Sequence, residues 1–188
     1  MRLYTIPLAP NPSKLMIYLA EKGIEIEQVF VNLVKGEHRS AEHLARNPLG
    51  SLPVLELDDG GFLTESLVIM EYLEELHPEP VMIGETPAER ARVRRLERIA
   101  DLSVLLPIAR IVHATRSPIG LPASEEAAQR ARRGLPEALS VLETSLAENP
   151  FVAGPEPSIA DCTLFAGLNF GRFAEGDLGV ALPHMDAW

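Results

Sequence analysis

The stretch 47-NPLGSLPVLELDDGGFLTESLVIMEYL-73 decides the fold. Asp58-Asp59-Gly60-Gly61 separates two apolar runs, Leu52–Leu57 and Phe62–Leu63, and glycine-rich turns between such runs signal a hairpin. From Glu65 the period changes. Leu67, Val68, Met70, Tyr72 and Leu73 recur at helical spacing up to Leu76. The segment therefore reads strand–strand–helix. Pro53 stands at the start of the first strand, where proline removes a ladder donor. A cis bond there would turn the Val54 N–H and C=O outward, ready to pair with an extended peptide-like ligand. A trans proline that merely starts the strand is the plainer alternative. Glu65-Ser66 begins the helix. The Ser66 hydroxyl and the first helical N–H groups favour a carboxylate, and Glu65 accepts from an ammonium, which together suit an amino-acid head group. Ordinary helix capping accounts for the same two residues.

On the N-terminal side, Arg2–Ile6 reads as a buried strand and Pro12–Lys22 as a helix that stops at Gly23. Ile26–Asn32 carries apolar residues on both faces and predicts a strand covered on both sides. Residues 35–39 form a polar loop, and a short helix follows from about Ser40 to Arg46. The order is β-α-β-α-β-β-α over residues 1–77. Residues 78–87 read as a linker; the segment 77–87 holds three prolines. Residues 88–188 have helical period throughout. Helices are predicted over 88–112, 125–147 and 158–172, which gives an all-α bundle after an α/β domain. The arginines at 90, 92, 94, 95 and 98 read as a solvated helix face.

The 188 residues and 46% hydrophobic content support one or two small domains. The net charge of −10 excludes non-specific nucleic-acid binding. It also means that an anionic ligand must be caught by local basic groups. The single cysteine, Cys162, permits no internal disulfide. It reads as a small buried side chain. No long uncharged apolar run suggests a membrane span, and no signal-like N-terminus is present, so a cytoplasmic protein is expected. No metal-ligand spacing is apparent.

Taken together, residues 47–73 resemble the glutathione-site signature of the cytosolic glutathione transferases. The stretch 151-FVAGPEPSIADCTLFAGL-168 resembles the helix start of that family's second domain. The resemblance covers nearly the whole chain. It implies a thioredoxin-like N-terminal domain, a helical C-terminal domain and a homodimer. It implies that Pro53, after Leu52, is cis, that Val54 pairs with the cysteinyl backbone of glutathione, and that Glu65 and Ser66 hold the γ-glutamyl group. The loop 36-GEHR-39 is similar to a Gly-x-His-Lys segment of plant-type members, which maps glycyl-carboxylate binding onto His38 and Arg39, with Lys35 as a substitute. Two solvated loop residues are the alternative. Within the second stretch, Ser158 and Asp161 read as a capping box with a structural role.

The family's serine or cysteine sits at the tip of the loop before the first helix, and that position falls on Ala9. Alanine neither donates to a thiolate nor forms a mixed disulfide. Asn11, in an Ala-Pro-Asn that resembles the Thr-Pro-Asn of bacterial disulfide-reductase-like members, is the first candidate to hold the sulfur. The backbone N–H groups of the loop are the second and Ser13 the third. Tyr4 reads as core. Ionising a glutathione thiol at neutral pH takes a shift of about two units, roughly 2.7 kcal/mol. One charge-assisted bond and a helix terminus supply about that much. The leading expectation is a transferase whose glutathione thiolate attacks a small hydrophobic electrophile held near Leu105, Ile108, Ala109, Val112 and His113. Reduction of a disulfide or peroxide is a second reaction open to it, and a surface position is the alternative for His113. The rival readings are a glutathione-binding protein without turnover, which Ala9 favours, and a scaffold. The family's usual last helix is expected to be missing after Trp188.

Overall fold

The computed structural model describes residues 1–174 and 183–188. The chain forms two units, Met1–Pro80 and Val81–Trp188.

In the first unit, β1 (Arg2–Thr5), β2 (Glu27–Phe30), β3 (Val54–Glu56) and β4 (Phe62–Leu63) make one mixed sheet in the order β2-β1-β3-β4. β1 runs parallel to β2 and antiparallel to β3, and β3 is antiparallel to β4. The register sets Leu3 against Leu55, and both are fully buried. Tyr4 lies opposite Val54 in a cluster with Val31. Tyr4 is core, as expected, and its hydroxyl donates to Glu56 at 2.7 Å. The helices are α1 (Pro10–Lys22), α2 (Ala41–Arg46) and α3 (Ser66–Leu76), with α1 packed against α3. At that packing Lys22 Nζ lies 3.0 Å from the Glu74 carboxylate, which also accepts from the Tyr18 hydroxyl at 2.8 Å. β2 departs from expectation. It is an edge strand, and Glu27, Gln28 and Phe30 are exposed rather than covered on both sides.

The second unit is helical: α4 (Pro87–Ile99), α5 (Leu106–Thr115), α6 (Glu125–Arg132), α7 (Leu135–Glu148), α8 (Ile159–Gly171) and the short α9 (Pro183–Ala187). Two predicted helices differ in detail. The segment 88–112 is continuous but passes through a π-helical stretch, Ala100–Leu105, just before Pro107. Pro107 has no N–H and its ring crowds the carbonyl four residues back, so the α-ladder cannot run through unchanged; the wider turn takes up the mismatch. The segment 125–147 is two helices, broken at Gly134, whose φ of 79° ends one, and restarted with Pro136 in the first turn of the next. The core is built from Leu96, Val104, Leu139, Leu142, Leu164 and their neighbours. At the start of α8 the Ser158 N–H and hydroxyl both donate to the Asp161 carboxylate, at 2.9 and 2.7 Å, and the Val152 N–H donates to it at 2.8 Å. Burial pushes the Asp161 carboxyl up against these bonds. Cys162 is buried beside it. Of the arginines on α4, positions 92, 94 and 95 are exposed, while Arg98 is half-buried and reaches both Glu97 and Asp101.

Candidate active site

Three loops of the first unit and the start of α3 carry the expected site residues. The first precedes α1. Leu8 has φ 66°, Ala9 is the N-cap without a side-chain cap, and the helix opens Pro10-Asn11-Pro12. A helix start leaves its first N–H groups without helical acceptors. Here two of them are absent, because Pro10 and Pro12 carry none. Ser13 N–H is spent on Ala9 O at 2.9 Å. The backbone donors left are those of Ala9 and Asn11, fewer than a strand-to-helix loop ordinarily presents. Asn11 is exposed, and its Oδ1 accepts from the Ser66 hydroxyl at 3.5 Å, a long contact across 55 positions of sequence. This leaves the Asn11 NH2 group as a donor in addition to the two backbone N–H groups. Ser13, one turn into the helix, is partly buried.

The second loop holds the cis Leu52–Pro53 bond. It is fixed by a residue that the sequence reading passed over. Asn47, 2% exposed, donates from Nδ2 to Ser51 O at 3.0 Å and to Ser51 Oγ at 2.9 Å, and its Oδ1 accepts from Leu49 N–H at 3.1 Å. His43 adds a ring contact to Ser51 O at 3.3 Å. The Asn-Pro dipeptide was the available signal for this turn. Beyond it Val54 pairs with Tyr4, but β4 pairs only with Leu55 and Glu56. Val54 is therefore the point at which an extended backbone can continue the sheet.

The third loop carries His38 and Arg39 in a 3-10 turn, Glu37–Arg39. Asn32 N–H donates to the Glu37 carboxylate at 2.7 Å, which tethers the turn. Arg39 is exposed and donates to Leu49 O at 3.2 Å. Gly50 locks the two loops together. Its φ is 65°, and a Cβ there would lie 2.8 Å from His38 O and 3.0 Å from Arg39 Nη1. Burial first, then the charges of Arg39 and His43, hold the His38 imidazole below its usual pKa, and its Nδ1 is buried without a partner among the described residues. Arg39 is thus the standing positive charge of this turn, with the exposed Lys35 just before it.

Glu65 is exposed and occupies the N-cap of α3 with φ 65° and ψ 110°, and its side chain makes no cap bond. Simple capping does not account for it. A non-glycine residue in that region costs about 1–3 kcal/mol and is commonly found where a site is being shaped. Ser66 is 6% exposed.

The five positions expected to line an electrophile pocket divide sharply. Leu105, Ile108 and Val112 are core side chains of the second unit, at 2% exposure or less. Ala109 and His113 lie on the other side of α5 and are half-buried. His113 Nδ1 is 3.0 Å from Ser117 Oγ, its ring leans on Phe170, and burial lowers its pKa.

The first unit is thus a mixed sheet carrying a cis-proline loop, an acidic–serine helix start and a cationic loop, and a helical unit follows it. Residues 1–75 match the family described as glutathione S-transferase, N-terminal domain, and residues 104–188 match glutathione S-transferase, C-terminal domain. The chain is 34% identical to glutathione S-transferase 2 of Saccharomyces cerevisiae over 100% of its own length and 83% of the relative's. A glutathione S-transferase domain-containing protein of Marinobacter aquaeolei superposes with a TM-score of 0.90 at 34% identity, covering 100% of this chain and 95% of that one. Human glutathione transferase theta-2, solved with glutathione, gives 0.85 at 29%, covering 100% and 78%. The chain belongs to the glutathione transferase family. It is a transferase enzyme with glutathione as co-substrate. Among the described residues no helix is long and apolar enough to cross a membrane, and no group of His, Cys, Asp and Glu is placed to hold a metal ion.

Proposed function

We propose that glutathione lies along the three loops of the first unit. Its γ-glutamyl carboxylate sits on the Ser66 hydroxyl and the start of α3, and its ammonium faces Glu65. Its cysteinyl backbone continues the sheet at Val54, after the Leu52–Pro53 turn, and its glycyl carboxylate meets Arg39 and His38. The sulfur comes to Ala9 and is held as thiolate by the Asn11 side-chain N–H. The thiolate sulfur bonds to the electrophilic atom of a small hydrophobic substrate, whose leaving group departs with the bonding pair. Conjugation is favoured over a route through a protein mixed disulfide, because position 9 has no thiol. The α5 face with Ala109 and His113 serves the electrophile. Detoxification in the cytoplasm as a homodimer completes the reading. The exposed Leu49, Phe62 and Val68 of the first unit suit a subunit contact.

The observation that carries this reading is the Ser66–Asn11 contact, which joins the head-group site to the first-ranked side-chain donor at the sulfur loop. The test is Asn11→Ala. Glutathione affinity by calorimetry should be retained within a few-fold, while kcat with a chloronitrobenzene substrate falls roughly 10- to 100-fold. Unchanged kcat would assign the thiolate to another donor. Light scattering in solution tests the dimer.

A further inference from the structure

α5 has two faces. Ile108, Ile111 and Val112 are at 1% exposure or less and belong to the core. The opposite stripe is Leu106, Ala109, Arg110 and His113, spaced i, i+3, i+4 and i+7, so these side chains are neighbours. Leu106, Ala109 and His113 are half-buried, and Arg110 is exposed. Arg110 makes no ion pair among the described residues, although acidic side chains outnumber basic ones 27 to 17 in the chain. His113, one turn further on, is not free to swing. Its Nδ1 is engaged by Ser117 Oγ at 3.0 Å and its ring rests 5.9 Å from that of Phe170. When the Ser117 hydroxyl donates to Nδ1, the imidazole proton sits on Nε2, which is then a second donor on the same helix stripe as the Arg110 guanidinium.

We infer that this stripe of α5 selects electrophiles that pair an apolar body with a carboxylate, the body on Leu106 and Ala109 and the carboxylate on Arg110 and His113 Nε2. A planar guanidinium fork is suited to a carboxylate in two-point contact, and a neutral donor beside it adds direction without adding charge. In a chain of net charge −10 only such a local cation can hold an anionic substrate. The inference rests on the placement of the electrophile on α5 proposed above.

The test separates binding from turnover. Calorimetry compares a dinitrobenzoate with its methyl ester, both lacking a leaving group. The wild type should bind the carboxylate roughly ten-fold more tightly than the ester. Arg110→Ala should abolish that preference, Arg110→Lys should keep part of it, and Arg110→Glu should reverse it. His113→Phe, which keeps the ring contact with Phe170, should reduce it. Equal affinities in the wild type, or a preference that survives Arg110→Ala, overturns the inference. Turnover is then measured with the chlorinated pair and glutathione. If the Arg110-dependent preference is present in binding but neither compound is turned over, the anion-binding face stands and the placement of the electrophile on α5 is what fails.

Discussion

Replacing Glu65 by glycine should raise stability and weaken glutathione binding at once. Glu65 sits at φ 65°, ψ 110°, outside the ordinary left-handed well, at a cost of about 1–3 kcal/mol. Glycine adopts that conformation freely, and at an N-cap it is nearly as good as the best polar residues. The Glu65 side chain makes no cap bond, so none is lost. Glycine's greater unfolded-state entropy takes back about 0.5–1 kcal/mol. The net is about +1 kcal/mol, which for a chain of this size raises Tm by about 2–4 °C. Binding goes the other way. A charge-assisted bond between the carboxylate and the ligand's ammonium contributes about 1.5–3 kcal/mol, so affinity should drop roughly 10- to 150-fold. Glu65→Ala separates the two effects, because alanine keeps the backbone strain and loses the carboxylate. It should bind as weakly as the glycine variant without the gain in Tm. Scanning calorimetry and glutathione titration on the three proteins decide the matter. A glycine variant that melts below the wild type, with affinity intact in both variants, would show that Glu65 is a capping residue and would refute the reasoning.

Gly50→Ala should displace the Arg39 loop, since the new methyl meets His38 O at 2.8 Å and the residue is held at φ 65°. A loss of about 1–3 kcal/mol in chemical denaturation is expected, with a several-fold rise in the Kd for glutathione and little change for an analogue lacking the glycyl residue. His38 gives a pH signature. Its folded pKa lies below the usual 6.5, through burial and then Arg39 and His43, so the folded protein binds fewer protons than the unfolded chain and loses stability as pH falls through that value. A bound glycyl carboxylate favours the imidazolium, so glutathione affinity should instead rise on acidification from pH 7.5 to 5.5; titrations of His38→Asn should lose that slope, and a flat wild-type profile would place the carboxylate elsewhere. Lys22→Met removes one side of the buried Lys22–Glu74 pair, and breaking such a pair from one side costs up to about 3–5 kcal/mol, which a urea melt will register.

Much of the first unit was legible because its signals are local. The Asp58–Gly61 turn, the switch of period at Glu65 and the glycine after Lys22 each act over a few residues. The loops around the site needed more. Asn47 reads as an ordinary turn residue, yet its amide organises the approach to Pro53 through three hydrogen bonds to Leu49 and Ser51. Gly50 reads as a turn glycine, yet it is required by a carbonyl twelve positions earlier. Pro10 and Pro12 were visible as loop markers, but their effect on the donor count appears only once the helix is seen to begin at Pro10 and not at Pro12. That change thins the backbone alternative and leaves Asn11, already the first candidate, as the proposed thiolate donor.

The second unit shows why an apolar period is a poor guide to a substrate face. Leu105, Ile108 and Val112, expected near the electrophile, repeat at helical spacing. The same regularity is what a core demands, since a helix buries its most continuous apolar stripe against its neighbours. The proposed substrate face is the stripe that breaks the pattern, where Arg110 and His113 interrupt Leu106 and Ala109. That stripe only borders the core, and its exposed member, Arg110, fills none of it, so its identity is free to follow a ligand. Exchanging Ile108 for alanine should therefore behave as a cavity mutation, losing about 2–5 kcal/mol of stability with the choice among electrophiles unchanged. Exchanging Ala109 for leucine should leave Tm within a degree or two and alter KM for bulky electrophiles. Unfolding curves and KM values for a small and a large substrate test the pair, and the reverse pattern would return the pocket to the apolar stripe.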